Sequence, residues 1–204
     1  MMKKIFVCIF LCSCIAVNAQ DSSVIEKIKL ENLKCTSITS DFIQIKHLSF
    51  MDEDVHSNGK FFYSKPGRLL MKYEQPAGDL MLINKEQLVM VAAGKYSKAS
   101  TKSSSRARTM KNILSSCLQG DVSLIDGVTL SCEETSDSYV VTAKLKKKTR
   151  SGIIKVVLNY DKSDMTLSVL RMEESDGSYT AYKLVNKTVN QPVDDNVFKA
   201  PQKK

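Results

Sequence analysis

The sequence predicts a mainly β (α+β) domain in which a large curved sheet or open barrel is accompanied by a few helices. From residue 38 onward, short segments rich in β-branched, aromatic and other apolar residues recur at roughly ten-residue spacing, with turn residues between them. Only two stretches space their apolar residues as a helix does. Short strands that follow one another in this way form antiparallel sheets, so we expect one β-rich domain.

The first 19 residues have the anatomy of a signal peptide. Lys3 and Lys4 precede an apolar stretch from Ile5 to Val17, and Ala19 then provides a small residue directly before Gln20. The apolar stretch is too short to cross a bilayer as a helix. We therefore expect cleavage near Ala19/Gln20, export of the protein, and a single folded domain over residues 20–204.

The cysteines leave two questions open. Leu11-Cys12-Ser13-Cys14 loosely resembles a lipoprotein processing site, so lipidation of Cys14 is the alternative to cleavage before Gln20. Cys35, Cys117 and Cys132 would remain in the exported domain. An odd number allows one disulfide with a leftover thiol, or three free thiols that act as small buried apolar residues.

Two helices are predicted. The first begins at a cap formed by Asp21-Ser22-Ser23 and ends near Cys35, with apolar residues on one side. A Ser/Lys-rich loop begins at Gly94, and the second helix follows over Ala107 to Leu118, with Gly120 as its stop.

The predicted strands lie on both sides of the second helix. Residues Leu69, Met71 and Tyr73 alternate with mostly polar neighbours, which predicts one apolar strand face. The runs Leu80–Ile83 and Leu88–Val91 are apolar throughout, which predicts a hairpin covered on both faces. The other predicted strands are an extended stretch from Ile38 to Ile45, then, after a polar loop from Met51 to Asn58, Lys60–Ser64, and later Val128–Cys132, Tyr139–Leu145, Ile153–Tyr160, Thr166–Met172 and Tyr179–Val189.

The sequence contains little material for catalysis. It has two histidines, His47 and His56, with no supporting motif around either of them. Nucleophile elbows, metal-binding helices, CxxC pairs and phosphate-binding loops do not occur in it. We therefore predict that the protein is not an enzyme and that it uses no metal or other cofactor.

Two clusters of basic residues contribute to a net charge of +8. One runs from Lys95 to Lys111 without an intervening acid, and the other from Lys144 to Arg150. No nucleic-acid-binding motif accompanies either cluster. We interpret them as solvated faces, or as a docking surface for an acidic partner or an anionic membrane, and expect no nucleic acid as partner.

One run of sequence resembles a known family. Gly59-Lys-Phe-Phe-Tyr-Ser-Lys-Pro-Gly-Arg-Leu-Leu-Met-Lys-Tyr-Glu-Gln-Pro76, followed by the apolar hairpin from Leu80 to Leu88, is similar to the periplasmic outer-membrane lipoprotein carriers, the LolA family. The end of the chain, from Tyr179 to Pro201, is similar in style. The hairpin departs from the family pattern, with Asn84-Lys85-Glu86 where many members have Asp-Gly.

The resemblance implies a fold and a role. The fold is an unclosed, curved antiparallel β-barrel of about ten or eleven strands with helices covering its mouth. The role is that of a periplasmic carrier or chaperone that holds the acyl chains of lipoproteins between sheet and helices. Its partners would be lipoproteins, an inner-membrane lipoprotein-releasing ABC transporter and an outer-membrane acceptor, and it would act as a monomer without a cofactor.

The resemblance also implies site residues. Lys65 stands before Pro66 where the family carries a basic residue that tethers the helical lid, so we expect Lys65 to govern release. Softly packing methionines suit a cavity for varied acyl chains. The residues expected to line this lipid-binding cavity are Phe42, Phe61, Tyr63, Leu69, Met71, Tyr73, Leu80, Leu82, Leu88 and Met90.

Two other roles remain open for the same fold. One is a regulatory module that senses lipoproteins, as a related exported family does. The other is a carrier of a different amphiphile, such as a glycolipid. The sequence leaves open which lipoproteins or amphiphile are carried.

Overall fold

In the computed structural model, the described residues are 16–149 and 152–201. They form eleven strands and two α-helices, with a short 3-10 turn at residues 122–124 and another at 195–198. The helices are α1 (Ala16–Lys34) and α2 (Ser105–Leu118). The strands are β1 (Ser37–His47), β2 (Val55–Ser64), β3 (Arg68–Gln75), β4 (Leu80–Asn84), β5 (Gln87–Ala92), β6 (Lys95–Ser100), β7 (Val128–Glu134), β8 (Ser138–Leu145), β9 (Ile153–Asp161), β10 (Leu167–Glu174) and β11 (Tyr179–Val189).

All eleven strands belong to one antiparallel sheet with the order β6-β5-β4-β3-β2-β1-β11-β10-β9-β8-β7. Within the described residues, β6 and β7 form the two edges and do not pair with each other, so the barrel is not closed. Side chains from both halves of the sheet meet around α2: Phe61 and Leu69 from one half, Leu170 and Leu184 from the other. The sheet is therefore strongly curved, and the predicted fold is confirmed.

The two faces of the sheet are covered differently. The enclosed side, called the inner face, packs against α1 and α2 through Ile28, Ile113 and Leu118. The opposite side, called the outer face, is solvated over much of its area. The β3–β5 part of the outer face is covered by the segment after β11, where Phe198 packs on Leu82. The predicted hairpin with both faces covered is thus confirmed.

The helices differ from the prediction at their starts. α1 is continuous from Ala16, and the Asp21 carboxylate accepts a hydrogen bond from the backbone of Cys132 at 3.3 Å instead of capping a helix. α2 begins at Ser105, where the Ser104 hydroxyl accepts from Ala107 N at 3.3 Å. Most of the predicted signal peptide, residues 1–15, lies outside the described residues.

Two segments predicted as loops contain strands. Residues 95–100 form β6, an edge strand, and Val55–Ser64 is a strand from its first residue although Met51 to Asn58 was expected to be a loop. Edge strands tolerate lysine and serine because half of their surface faces water. Residues 95–100 therefore lack the apolar alternation by which the other strands were predicted.

The predicted alternatives for the cysteines are resolved among the described residues. Cys35, Cys117 and Cys132 are free thiols, and the first two are buried. Burial raises the pKa of the Cys117 thiol to about 12, so this thiol stays protonated and acts as a small apolar residue. No helix in the described chain is long and apolar enough to cross a membrane.

We expect the mutation Gly59→Ala to destabilise the sheet. A Cβ at Gly59 would collide with the Lys72 carbonyl oxygen and lie 2.8 Å from Tyr73 Cα, and backbone atoms cannot rotate away. The loss should reach at least about 3 kcal/mol in urea unfolding. The control is Gly94→Ala, where nothing lies within 4 Å and only the positive φ of 74° opposes a side chain. It should lose about 1–2 kcal/mol. Equal losses would contradict the close strand approach.

Candidate functional site

The inner face carries an open cleft of about 600 Å³. It lies at the end of the sheet where the β1–β2, β3–β4 and β5–β6 turns are found. The residues around it come from five neighbouring strands of one half of the sheet, from β10 and β11, and from α2. They are Gln44, Lys46, Val55, His56, Ser57, Tyr73, Gln75, Pro76, Asp79, Leu80, Met81, Met90, Val91, Ala92, Met110, Leu114, Met172 and Tyr182.

Four methionines give the cleft its apolar character. Met81 and Met90 are cross-strand partners on β4 and β5, Met110 comes from α2, and Met172 comes from β10. Met90 is 40% exposed. An unbranched thioether side chain adapts to apolar groups of different shape. The cleft can therefore accept flexible hydrocarbon without a fixed complementary shape.

A second, almost filled space lies deeper, between α2 and the sheet. It measures about 20 Å³ and is wholly apolar. Leu114 of α2 and Tyr182 of β11 line both spaces, so the two are contiguous. The lining is Phe61, Leu69, Met71, Leu114, Leu118, Leu167, Leu170, Tyr182 and Leu184. Movement of α2 away from the sheet would join this surface to the cleft.

Most of the predicted cavity residues lie on the inner face. Tyr73 and Met90 line the open cleft, and Phe61, Leu69 and Met71 lie under α2. The others on this face are Phe42, Tyr63 and Leu88, which are buried in the same apolar cluster.

Leu80 and Leu82 pack on the other face of the sheet. Both pack in the outer-face cluster with Phe198, although Leu80 also reaches the rim of the cleft. Strand residues alternate between faces, so Met81 and Ile83 point inward in their place. Because every side chain from Leu80 to Ile83 is apolar, the sequence does not reveal which alternate residues of the strand point inward.

Sequence reasoning did not identify the site residues from α2 and from the second half of the sheet. Met110, Leu114 and Leu118 come from α2, and Met172 and Tyr182 from β10 and β11. The helical spacing of apolar residues in the sequence of α2 predicted a helix with one apolar face. Which part of the sheet that face covers depends on contacts distant in sequence.

Lys65 holds the end of α1. Its ammonium group donates hydrogen bonds to the carbonyl oxygens of Asn32 and Leu33, each at 2.9 Å. These are carbonyls of the last helical turn, at the negative end of the helix dipole, and the Asn32 carbonyl also accepts from Cys35 N at 3.2 Å. From the other side, the buried Asn32 amide donates to the carbonyl of Met165 at 2.6 Å. The end of α1 is thus fixed to both halves of the sheet.

α2 has its own connection to the sheet. The Tyr160 hydroxyl of β9 donates to the Cys117 carbonyl near the end of α2 at 2.7 Å. Burial raises the pKa of Tyr160 well above its usual value, so this hydroxyl keeps its proton. Lys29 of α1 also lies 3.2 Å from the Asp121 carboxylate, just after α2. We refer to α1 and α2, joined in this way, as the lid.

The two histidines have different surroundings. His47 Nδ1 lies 2.8 Å from the Asp54 carboxylate and its ring stacks on Tyr179. His56 lies at the rim of the cleft. Parts of the first basic cluster are occupied by local contacts, since Lys102 pairs with Glu86 at 2.9 Å and Arg108 donates to the Thr101 carbonyl at 2.9 Å.

Comparisons with known proteins agree with this architecture. An uncharacterized conserved protein from Thermus thermophilus superposes with a TM-score of 0.54 at 9% identity, covering 89% of this chain and 94% of that chain. MucB in the Pseudomonas aeruginosa MucA/MucB complex matches with a TM-score of 0.53 at 9% identity, covering 88% of this chain and 61% of that chain. At such identities the similarity shows a shared fold and nothing more.

The sequence itself matches one described family. No curated protein sequence matches the chain significantly. The family described as "Outer membrane lipoprotein carrier protein LolA" matches over residues 33–201, which include every strand and α2. Since this match extends over most of the chain, the protein belongs to the LolA family of outer membrane lipoprotein carriers.

Proposed function

We propose that the protein is a periplasmic carrier that binds the acyl chains of lipoproteins on its inner face and moves them from the inner to the outer membrane. The observation that carries this proposal is the open, methionine-lined cleft, which is contiguous with the apolar surface under α2. Family membership supports the same role. Catalysis and cofactors have no place in it.

The energy available from acyl chains is sufficient to move the lid. Burying one methylene group stabilises a complex by about 0.8 kcal/mol, so ten of them contribute about 8 kcal/mol. The two hydrogen bonds of Lys65 contribute at most about 3 kcal/mol each. Bound chains can therefore displace the lid and leave a net binding energy. Release then needs only an acceptor that binds the chains more tightly.

The proposed partners follow from this cycle. A lipoprotein released by an inner-membrane ABC transporter would enter the cleft, and an outer-membrane acceptor would receive it. The protein would act as a monomer, because the cleft and the lid are complete within one chain. The predicted signal peptide supports an exported location.

A sensing module is the second candidate, because MucB shares the fold and was crystallised with MucA. Ligands co-purified from the native periplasm and identified by mass spectrometry separate the candidates. Triacylated peptides are the result expected of a lipoprotein carrier. Glycolipids would indicate a carrier of another amphiphile, and a stoichiometric protein partner without lipid would indicate a sensor.

Met90→Glu should abolish lipid binding without unfolding the protein. Met90 is 40% exposed in the cleft, so a carboxylate there stays hydrated when the cleft is empty. Against acyl chains the same carboxylate would lose its water without a partner. Displacement of a fluorescent lipid and a melting curve measure the two effects. Ile43→Glu, at a residue of β1 that is 45% exposed on the outer face, is the control and should change neither. Normal lipid binding by Met90→Glu would contradict the site.

Lys65→Leu should retain its cargo. The bonds from Lys65 to α1 stabilise the closed, empty state, and each lost bond should shift the balance toward the loaded state by about tenfold or more. Lys65→Arg, with its planar fork of donors, should bind cargo somewhat more weakly and release it faster. Transfer of a fluorescent lipopeptide to outer-membrane vesicles measures the rates.

The matched control is Lys34→Leu, because among the described residues Lys34 pairs only with Glu31 on the same helix. This variant should transfer the lipopeptide at the wild-type rate. A wild-type transfer rate for Lys65→Leu would show that the contact with α1 does not govern release.

A further inference from the structure

Gln44 is a buried polar residue in the apolar inner face. It lies on β1, is only 9% exposed, and lines the open cleft. Its side-chain amide has no hydrogen-bond partner among residues 16–149 and 152–201. A primary amide offers two donors and one acceptor, and here the amide faces the open cleft. A side chain in this position is therefore available to bind a polar group that enters the cleft.

Two tyrosines extend the polar surface near Gln44. Tyr182 is the direct cross-strand partner of Gln44 on β11, and Tyr73 reaches the cleft from β3 at the level of Phe42. Phe42 contacts both rings edge-on, with centroids 5.0 Å and 6.3 Å away. Burial raises the pKa of both tyrosines, and their side chains also interact through a hydrogen bond. Both hydroxyls therefore stay protonated, and one of the two is left to donate to a ligand.

The position of Gln44 along β1 sets how deep its amide lies in the cleft. Phe42 lies two residues toward the filled space under α2, and Lys46 lies two residues toward the rim. Residues on one face of a strand are spaced by about 7 Å. Gln44 thus separates an apolar interior from a polar rim. An acyl chain inserted with its methyl end toward α2 would place its carbonyl end near Gln44.

We propose that Gln44, together with Tyr73 and Tyr182, binds the carbonyl group of an ester- or amide-linked acyl chain and so selects acylated ligands over ether-linked or plain hydrocarbon chains. This inference rests on the proposed function, because it assumes that the cleft receives acyl chains. The Gln44 amide donates to the carbonyl oxygen, and a tyrosine hydroxyl provides a second donor. Methylene groups beyond the carbonyl contact the methionines and the surface under α2.

The test compares two lipids that differ only in these carbonyl groups. Dipalmitoylglycerol carries two ester carbonyls, and dihexadecylglycerol, its ether analogue, carries none. The wild-type protein should bind the ester about tenfold more tightly than the ether in displacement of a fluorescent fatty acid. In Gln44→Met, an apolar change of similar length, the preference should fall to about one, with affinity for the ether retained.

Gln87→Met is the matched control. Gln87 is an exposed glutamine at the start of β5 and is not part of the cleft lining. It should keep the wild-type preference for the ester. Tyr182→Phe should reduce the preference in part, and it provides a second variant should Gln44→Met unfold.

The outcomes separate the inference from the proposed function. Equal affinity of the wild-type protein for ester and ether would overturn the role of Gln44 and leave the lipid-binding cleft intact. A full ester preference in Gln44→Met would overturn it as well. Failure of the wild-type protein to bind either lipid would instead reject the proposed function.

Discussion

The structure depends on one constraint: the inner face of an unclosed eleven-stranded sheet must be covered by something apolar. A closed barrel of this kind would fill its interior with its own side chains, but here the space is filled by α2. Leu114 and Leu118 occupy the position that hydrocarbon from another molecule could also occupy. In the proposed function, the helix and an acyl chain would compete for one surface, and their relative affinities would determine whether the protein is closed or loaded.

Polar contacts adjust this competition, because apolar contacts alone are not directional. Lys65 and Asn32 fix the end of α1 to opposite halves of the sheet, and Tyr160 fixes the end of α2. Lys65 and Tyr160 bind backbone carbonyls in the last turns of the two helices, and Asn32 binds a carbonyl in the β9–β10 turn. In the proposed function, these few hydrogen bonds would break when acyl chains enter and form again when the chains leave.

The sequence was sufficient to predict the β-rich fold and the contact of Lys65 with a helix. It was less informative about which residues line the cleft. Turn residues and alternation identified ten strands, whereas β6 was missed because an edge strand of lysines and serines has no apolar pattern. Leu82 was predicted to line the cavity because β4 is apolar on both faces. It points to the outer face, where it packs against Phe198, which is distant in sequence. The lining residues Leu114 and Tyr182 depend equally on long-range packing.

Gln44 illustrates why a binding residue can escape sequence reasoning. In the sequence it is one polar residue between Ile43 and Ile45, the pattern of an ordinary half-buried strand with its polar side in water. The fold reverses that expectation, because Phe42 and Leu184 pair on the inner face and carry Gln44 inward with them, while Ile43 is left exposed. The Gln44 amide therefore faces the open cleft, with no side-chain partner among the described residues. In the proposed binding mode, the carbonyl group of a ligand would give the amide a partner.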